Sequence, residues 1–330
     1  MYCINAFVNY ELRIENICLT PKLSIMKTVF LFLLLFFGVS LQSCSTNNEP
    51  VKPDNPEEEI KDDNEGQDDE EPEKDDSSDE EEPSKQWNLV FTEDFNEFDN
   101  SVWTKEAHEA GWVNNELQKY TEESVSTGMD GDKTVLILTA KRDGDKFYSG
   151  RVNSKSKKSF QYGKVEASIK LPKTANGLWP AFWMMGDNDK EWPACGEIDI
   201  MEMGEKEGID TNTSETYINT AIHYGPDVEG HKQIFQTVNV ENSLQDGNYH
   251  IYSLEWNENE LIVRVDDILI KKFYIGAGSE QFEYFNDKFY IIFNLAVGGD
   301  FPGITDPAKI TVLKDGESAQ MFVDWVKIYN

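Results

Sequence analysis

The stretch at residues 192–203 reads WPACGEIDIMEM and places three carboxylates, Glu197, Asp199 and Glu202, among strand-forming apolar residues. Side chains alternate between the two faces of a strand, so Glu197 and Asp199 share a face. Glu202 is five residues from Glu197 and would point to the other face. A single-residue β-bulge around residues 200–201 would restore the parity. The stretch therefore predicts a bulged strand that carries all three acids on one face.

Two carboxyl groups on one face suit glycoside hydrolysis, in which one attacks the anomeric carbon and the other protonates the departing oxygen. Asp199, between them, can hold a proton against Glu197 and change how readily each acid ionises. A flat strand would leave the two Glu backbones about 13 Å apart, so we expect a curved sheet. From spacing alone, an edge strand with solvent-facing acids remains the alternative.

Outward from this stretch, the chain from Trp87 onward contains short segments that alternate in period two or are rich in β-branched and aromatic residues. Long helical periodicity is absent, which predicts an all-β sandwich. The pair Asp266-Asp267 between two such segments is typical of a hairpin turn. The predicted strands are 88–91, 135–140, 163–171, 218–223, 251–256, 261–265, 289–295 and 322–329.

The composition of the 330-residue chain differs between its N-terminal quarter and the rest, since all eight Trp lie from Trp87 onward. Residues 86–330 are enough for one large domain with a substantial core. The net charge of -32 disfavours nucleic acid as a partner. Only Cys195 of the four cysteines lies in this domain, which excludes a disulfide framework. We expect the domain to be a monomer.

The N-terminal region, residues 1–43, predicts secretion. Met26-Lys27 and the apolar run 28–38 have the form of a signal peptide over residues 26–43, too short to span a bilayer comfortably. Translation is expected to begin at Met26. The sequence Leu41-Gln42-Ser43-Cys44 resembles a bacterial lipobox, which implies a lipid on Cys44; the alternative is an ordinary signal peptide with an incidental Cys. The predicted location is the cell envelope, lipid-anchored in the outer membrane and surface-exposed.

Residues 44–85 follow as an acidic segment, with nineteen Asp or Glu against four Lys in residues 49–85. Such a composition cannot bury enough apolar surface to offset chain entropy. We interpret it as an extended, self-repelling tether between membrane and domain. Calcium capture by the acidic run is the alternative, which its irregular spacing disfavours.

Taken together, the motifs resemble glycoside hydrolase family sixteen, and the bulged spacing is similar to its laminarinase branch. The resemblance covers residues 87–330. It implies a concanavalin-like β-jelly roll of two curved antiparallel sheets, with hydrolysis that retains the anomeric configuration. The matching segments are EIDIME at 197–202, TEDFN at 92–96, NNELQ at 114–118, SGR at 149–151, GLWPAFW at 177–183, His223, EW at 255–256, NLAVGG at 294–299 and DWV at 324–326.

The resemblance also implies residue roles. Glu197 matches the nucleophile, Asp199 an assisting acid and Glu202 the acid/base. The other matches are aromatic and polar sugar contacts, for which core packing, surface ion pairs or turns are the alternatives; they are Trp179, Trp183, Trp192, Asn114, Arg151, His223 and Asn294. Flat indole faces suit the apolar faces of sugar rings.

A structural calcium ion is implied at Asp94 and Asp324, with a carbonyl from Gly131 or Asp132. No cofactor is expected for catalysis. An insertion around residues 128–134 interrupts the alignment with the family near this site. At another position, Tyr224 follows His223 where the family more often has Trp or Gly.

The function implied is an endo-acting β-glucanase that cleaves β-1,3-glucan, mixed-linkage β-1,3-1,4-glucan, or both. A galactan hydrolase of agar or porphyran type is one alternative, and the acidic composition disfavours sulfated chains. A non-catalytic surface glycan-binding protein is another, which the three intact carboxylates disfavour.

Overall fold

The strands of this protein form where β-branched and aromatic residues alternate with polar ones, and turns follow at Gly, Asp and Asn. A computed structural model describes residues 86–330. One short helix, α1 (Lys206–Asp210), and three 3-10 turns (Glu122–Ser124, Phe282–Tyr284, Pro307–Lys309) interrupt the strands. The strands are β1 (Leu89–Glu93), β2 (Thr104–Lys105), β3 (Gln118–Tyr120), β4 (Val125–Asp130), β5 (Lys133–Asp143), β6 (Lys146–Ser149), β7 (Arg151–Asn153), β8 (Ser159–Phe160), β9 (Gly163–Lys170), β10 (Leu178–Gly186), β11 (Glu197–Met203), β12 (Tyr217–Tyr224), β13 (Lys232–Asn239), β14 (His250–Trp256), β15 (Glu260–Val265), β16 (Ile268–Tyr274), β17 (Phe289–Val297) and β18 (Ser318–Tyr329).

These strands make two sheets. The ten-stranded sheet has the order β16-β15-β14-β9-β18-β5-β6-β3, with β1 added on β18 and β4 on β5. The eight-stranded sheet has the order β13-β12-β11-β10-β17-β7-β2, with β8 added on β17. All pairs are antiparallel except β3 with β6, which are parallel. The all-β jelly-roll prediction is confirmed, with this one parallel pair added to it.

The hydrophobic core combines side chains from both sheets. Ile198 and Met203 of β11 belong to it, and so do Val165 and Val326 of the ten-stranded sheet. Because side chains alternate along a strand, the acids of β11 must lie on the opposite side of the eight-stranded sheet from the core. We call that side the carboxylate face.

Each of the eight predicted strands is present, most of them extended by one or more residues. The predicted hairpin at Asp266-Asp267 is confirmed, since it joins β15 to β16 with Val265 paired to Ile268. Both Asp residues have positive φ, 46° and 66°, as a tight two-residue hairpin turn requires.

The predicted signal peptide, the lipid on Cys44 and the acidic tether lie outside the described residues. Within residues 86–330, no helix is long and apolar enough to cross a membrane. Cys195 is buried there as a free thiol.

Candidate active site

The predicted bulge is present in β11. On one side, Trp183 pairs with Asp199 and Phe182 with Met201, so Ile200 has no partner. On the other side, three steps along β11 from Asp199 to Glu202 match two steps along β12. One extra residue restores the parity, and Glu197, Asp199 and Glu202 all lie on the carboxylate face.

The strand register extends this face sideways into three rows that cross the sheet. The first contains His223, Glu197, Met185 and Tyr290. The second contains Ala221, Asp199, Trp183 and Ile292, and the third contains Asn219, Glu202, Ala181, Asn294 and Arg151. Opposed residues of antiparallel strands share a face. Of the predicted contacts, His223, Trp183, Asn294 and Arg151 therefore lie on the same surface as the acids.

Each outer carboxylate receives a hydrogen bond from an indole. Trp192 Nε1 donates to Glu197 Oε2 at 2.9 Å, and Trp179 Nε1 donates to Glu202 Oε1 at 3.0 Å. Phe301 stacks on Trp179 with ring centroids 4.8 Å apart. The indoles hold the two Glu side chains and leave their second oxygens for chemistry.

Burial is the largest cause of the raised pKa values of the three acids. Burial, and then the charge of Asp199, raise the pKa of Glu197 to about 8. Burial raises the pKa of Asp199 to about 8, and burial followed by the charge of Asp199 raises the pKa of Glu202 well above its ordinary value. Acids this close cannot all ionise near neutral pH, so they share protons. A carboxyl that keeps its proton can act as a general acid.

His223 completes the centre of the site. Its Nε2 lies 3.1 Å from Asp199 Oδ2 and 3.9 Å from Glu197 Oε1. Asp199 Oδ2 nevertheless receives no hydrogen bond of good geometry from the described residues. The ring is held from behind, because His223 Nδ1 and His231 Nε2 are hydrogen-bonded at 2.9 Å and the two imidazoles stack. His231 directly precedes the next strand, β13, and the sequence contained no signal for it.

Arg151 and Asn294 form the next part of the carboxylate face, and both are almost fully buried. Arg151 Nε is 3.1 Å from Glu106 Oε2, and its guanidinium lies over the ring of Trp183 at 4.7 Å. Burial opposes the ionisation of Glu106, but the charge of Arg151 together with hydrogen bonds from Asn153, His108 and Arg151 outweighs it and lowers the pKa of Glu106. Asn294 Oδ1 accepts a hydrogen bond from Trp183 Nε1 at 2.7 Å. These contacts fix the Trp183 ring, which is itself partly exposed.

Asn114 lies on an exposed loop that borders the carboxylate face. Its φ is 50°, and its backbone oxygen accepts a hydrogen bond from Asp300 N at 2.9 Å. Trp112 on the same loop is 47% exposed and stacks on His108 at 3.5 Å. Arg151 also lies 5.4 Å from the Trp112 ring. Trp112 is thus a second aromatic surface beside Trp183, and the motif NNELQ begins two residues after it.

Two groups bear on metal binding. Glu197, Asp199 and His223 offer oxygen and nitrogen atoms within 4.8 Å of one another. At the predicted calcium site, Asp94 is exposed, and Gly131 lies at the β4–β5 turn with φ 63°. Asp324 Oδ2 lies 2.6 Å from Lys133 Nζ. A calcium ion at Asp324 would have to compete with this lysine, and the calcium site stays a prediction.

The carboxylate face thus carries paired acids that indoles hold in place and that aromatic and hydrogen-bonding side chains border. This is the arrangement of a glycoside hydrolase. Residues 102–327 match the model of the glycosyl hydrolases family 16, and the chain belongs to this family.

Among solved structures, the chain is similar to a Bacteroides ovatus mixed linkage glucan family 16 enzyme in complex with a G4G4G3G product. The identity is 63%, the match covers 72% of this chain and 99% of that chain, and the TM-score is 0.70. Among curated proteins, it is 34% identical to the clotting factor G alpha subunit of Tachypleus tridentatus over 74% of this chain. It is 31% identical to the glucan endo-1,3-beta-glucosidase A1 of Niallia circulans over 73% of this chain. The match spans 34% and 38% of the lengths of these two curated relatives.

Proposed function

We propose that this chain is a retaining endo-β-glucanase that hydrolyses mixed-linkage β-1,3-1,4-glucan, with Glu197 as nucleophile and Glu202 as acid/base. The observation that carries the proposal is the bulge at Ile200, which puts both Glu side chains on one face with a third acid between them. A retaining glycosidase needs two carboxyl groups of different protonation near one glycosidic bond.

The reaction follows from the contacts. Glu197, ionised and oriented by the Trp192 N–H, attacks the anomeric carbon while Glu202 gives its proton to the departing oxygen. The sugar is then joined to Glu197 as an ester, and the leaving chain departs with a new hydroxyl. Glu202, now ionised, takes a proton from water, whose oxygen attacks the anomeric carbon and breaks the ester. Two inversions give net retention, and both carboxyl groups return to their starting state.

Asp199 assists the two Glu residues by taking up and releasing a proton. Its buried Oδ2 receives no hydrogen bond of good geometry from residues 86–330, and its charge raises the pKa of Glu197 and of Glu202. A proton taken up by Asp199 removes that charge and eases the ionisation of Glu197. Asp199 therefore helps to separate the roles of the two Glu residues.

The substrate class is supported by the relatives. The Bacteroides ovatus enzyme, 63% identical, was solved with a G4G4G3G product of a mixed-linkage glucan. The Niallia circulans protein is described as a glucan endo-1,3-beta-glucosidase. Both descriptions include β-1,3 bonds, and the higher identity favours mixed-linkage glucan as the preferred substrate. A galactan or a purely β-1,4-linked chain is not expected to be cleaved at a comparable rate.

The test is a set of initial rates on barley β-glucan, laminarin, carboxymethylcellulose and agarose, with Glu197→Gln as the matched inactive control. We expect barley β-glucan to be cleaved fastest and the early products to be oligosaccharides with the β-anomer at the new reducing end. NMR of the first products reads the anomer directly. A clear preference for agarose or carboxymethylcellulose would overturn the substrate class, and an α-anomer would overturn the roles of the two Glu residues.

We also propose that Cys44 carries a lipid and that residues 45–85 tether the domain to the outer membrane, facing outward. The support is the lipobox-like sequence 41–44 and the acidic composition that follows it. A large polysaccharide cannot cross an outer membrane intact, so an endo-acting enzyme is most useful on the outer surface.

A further inference from the structure

An exposed aromatic side chain, Phe235, extends the row of the carboxylate face that contains Asp199. The register pairs Phe235 with Ala221, Ala221 with Asp199, and Asp199 with Trp183. Phe235 lies two strands from Asp199, a separation of about 10 Å at the usual spacing between strands. It is on the opposite side of the acids from Trp183.

The alternation along β13 gives the direction of the Phe235 side chain. Ile234 and Val238 pack against the hydrophobic core, so Phe235 between them must point to the carboxylate face. The side chain is 54% exposed. Among the described residues, the Phe235 ring is not one of the side chains that pack against the hydrophobic core.

Polar side chains surround this ring. Thr237, two residues further along the same face, accepts a hydrogen bond from Asn219 Nδ2 at 3.2 Å. Asn219 is in turn opposite Glu202. Gln233, two residues before Phe235, is exposed and lies opposite His223. A flat apolar surface bordered by amide and hydroxyl groups has the chemistry that a sugar ring requires, with its apolar face to stack and its hydroxyl groups to bind.

The two sides of the acid strand differ in how firmly they are built. On the β17 and β7 side, Arg151, Asn294 and Trp183 are locked to one another by hydrogen bonds and ring contacts. On the β13 side, the eight-stranded sheet ends, and the Phe235 ring on this last strand is exposed. A retaining enzyme must hold the donor half of its substrate through both steps, but must release the leaving half after the first. The open side suits release.

We propose that Phe235 is a stacking platform for the leaving half of the glucan chain, beyond the sugar bonded at the scissile oxygen. The inference rests on the proposed function. It assigns the donor half of the substrate to the side of Trp183 and the leaving half to the side of β13.

The experiment compares two substrates in wild type and in Phe235→Ala. Barley β-glucan reaches the Phe235 side, whereas an aryl glycoside of a donor-side glucotriose has only its aryl leaving group beyond the scissile bond. Loss of one stacking contact corresponds to about a fivefold to tenfold change. We expect kcat/KM on barley β-glucan to fall by that factor relative to kcat/KM on the aryl glycoside. In Phe235→Ala, the rate of transfer of the donor sugar from Glu197 to an added oligosaccharide acceptor should decrease by a similar factor.

Phe235→Trp keeps a flat ring and should retain the wild-type ratio of the two rates. Tyr274→Ala is the matched control, because Tyr274 is 60% exposed on β16, a terminal strand of the other sheet, and should leave the ratio unchanged. Melting temperatures show whether the variants fold. Unchanged rates on both substrates in Phe235→Ala, with an active wild type, overturn the platform, and an equal loss on both substrates overturns its assignment to the leaving half. A wild type that cleaves neither substrate overturns the proposed function instead.

Discussion

Trp192 donates its indole hydrogen to Glu197, five residues further along the chain, at 2.9 Å. Trp179 does the same for Glu202 from the neighbouring strand, at 3.0 Å. A hydrogen bond to an ionised carboxylate favours that form, and both bonds oppose the pKa increase that burial causes. The two indoles thus act on two different acids of one reaction, and they can be tested separately.

Trp192→Phe keeps a ring and removes the N–H, so the pKa of Glu197 should rise further. Since Glu197 must be ionised to attack, the acidic limb of the kcat/KM profile should move to higher pH, with about a tenfold loss at pH 6. Trp179→Phe is the matched variant. It should raise the pKa of Glu202 and move the basic limb to higher pH, because Glu202 must carry its proton. Movement of the same limb in both variants would contradict the assigned roles.

Glu197 should reduce the stability of the folded protein as pH increases. Its pKa is raised to about 8, so the folded state binds its proton more tightly than the unfolded chain does. Stability from this group is therefore lost as pH rises between about 4.5 and 8. Glu197→Gln does not titrate, and its gain in unfolding free energy over wild type should grow across that range to about 1–3 kcal/mol at pH 8.

Chemical denaturation at pH 5, 6.5 and 8 measures this difference. The variant Glu258→Gln, which makes the same substitution at an exposed residue, provides the matched control. A stability gain in Glu197→Gln that is equal at all three pH values would mean that the proton at Glu197 is not its source.

Cys44→Ala should release the protein from the membrane fraction if Cys44 is the lipidated residue. The apolar run 28–38 is too short to replace the lipid as a stable anchor. Fractionation of cells that express wild type and variant, with detection by antibody, measures the effect. A variant that remains in the membrane fraction like wild type would mean that the leader itself is the anchor.

Calcium, if it binds at Asp324, should raise the melting temperature by mass action, and a chelator should lower it. Because the Lys133 ammonium lies 2.6 Å from Asp324 Oδ2, the ion must displace it. Lys133→Gln removes the competitor and should increase the response to calcium by a few degrees. Melting temperatures in excess chelator and in added calcium provide the measurement, and no response in either protein would exclude the site.

Local patterns predicted most of the fold. Alternation predicted eight strands, and the count between Glu197 and Glu202 predicted the bulge, because both depend only on near neighbours in sequence. The edge strand β13 was not predicted, since the sequence KQIFQTVN mixes polar residues on both faces. The contacts of His231 and Phe301 could not be predicted either. They depend on which strands and loops become neighbours, and no local pattern contains that information.

The resemblance identified polar residues of the site but could not distinguish contact from support. Asn294 and Arg151 both belong to the carboxylate face, yet both are nearly buried and hold Trp183 in place. Exposure of a side chain is a property of the assembled sheet. Phe235 shows the converse, since an ordinary strand residue becomes a candidate sugar contact only when its row on the sheet is known.

The bulge at Ile200 has a consequence for how such proteins diverge. Deletion of that single residue would leave Glu197, Asp199 and Glu202 at regular two-residue spacing, so an unbulged strand would still carry all three acids on the glycan-facing surface. The shortened chain would keep its proton donor together with the surface that recognises the polysaccharide. Bulged and regular forms of this strand could then be exchanged by the gain or loss of one codon, without a new architecture and without loss of the three acids.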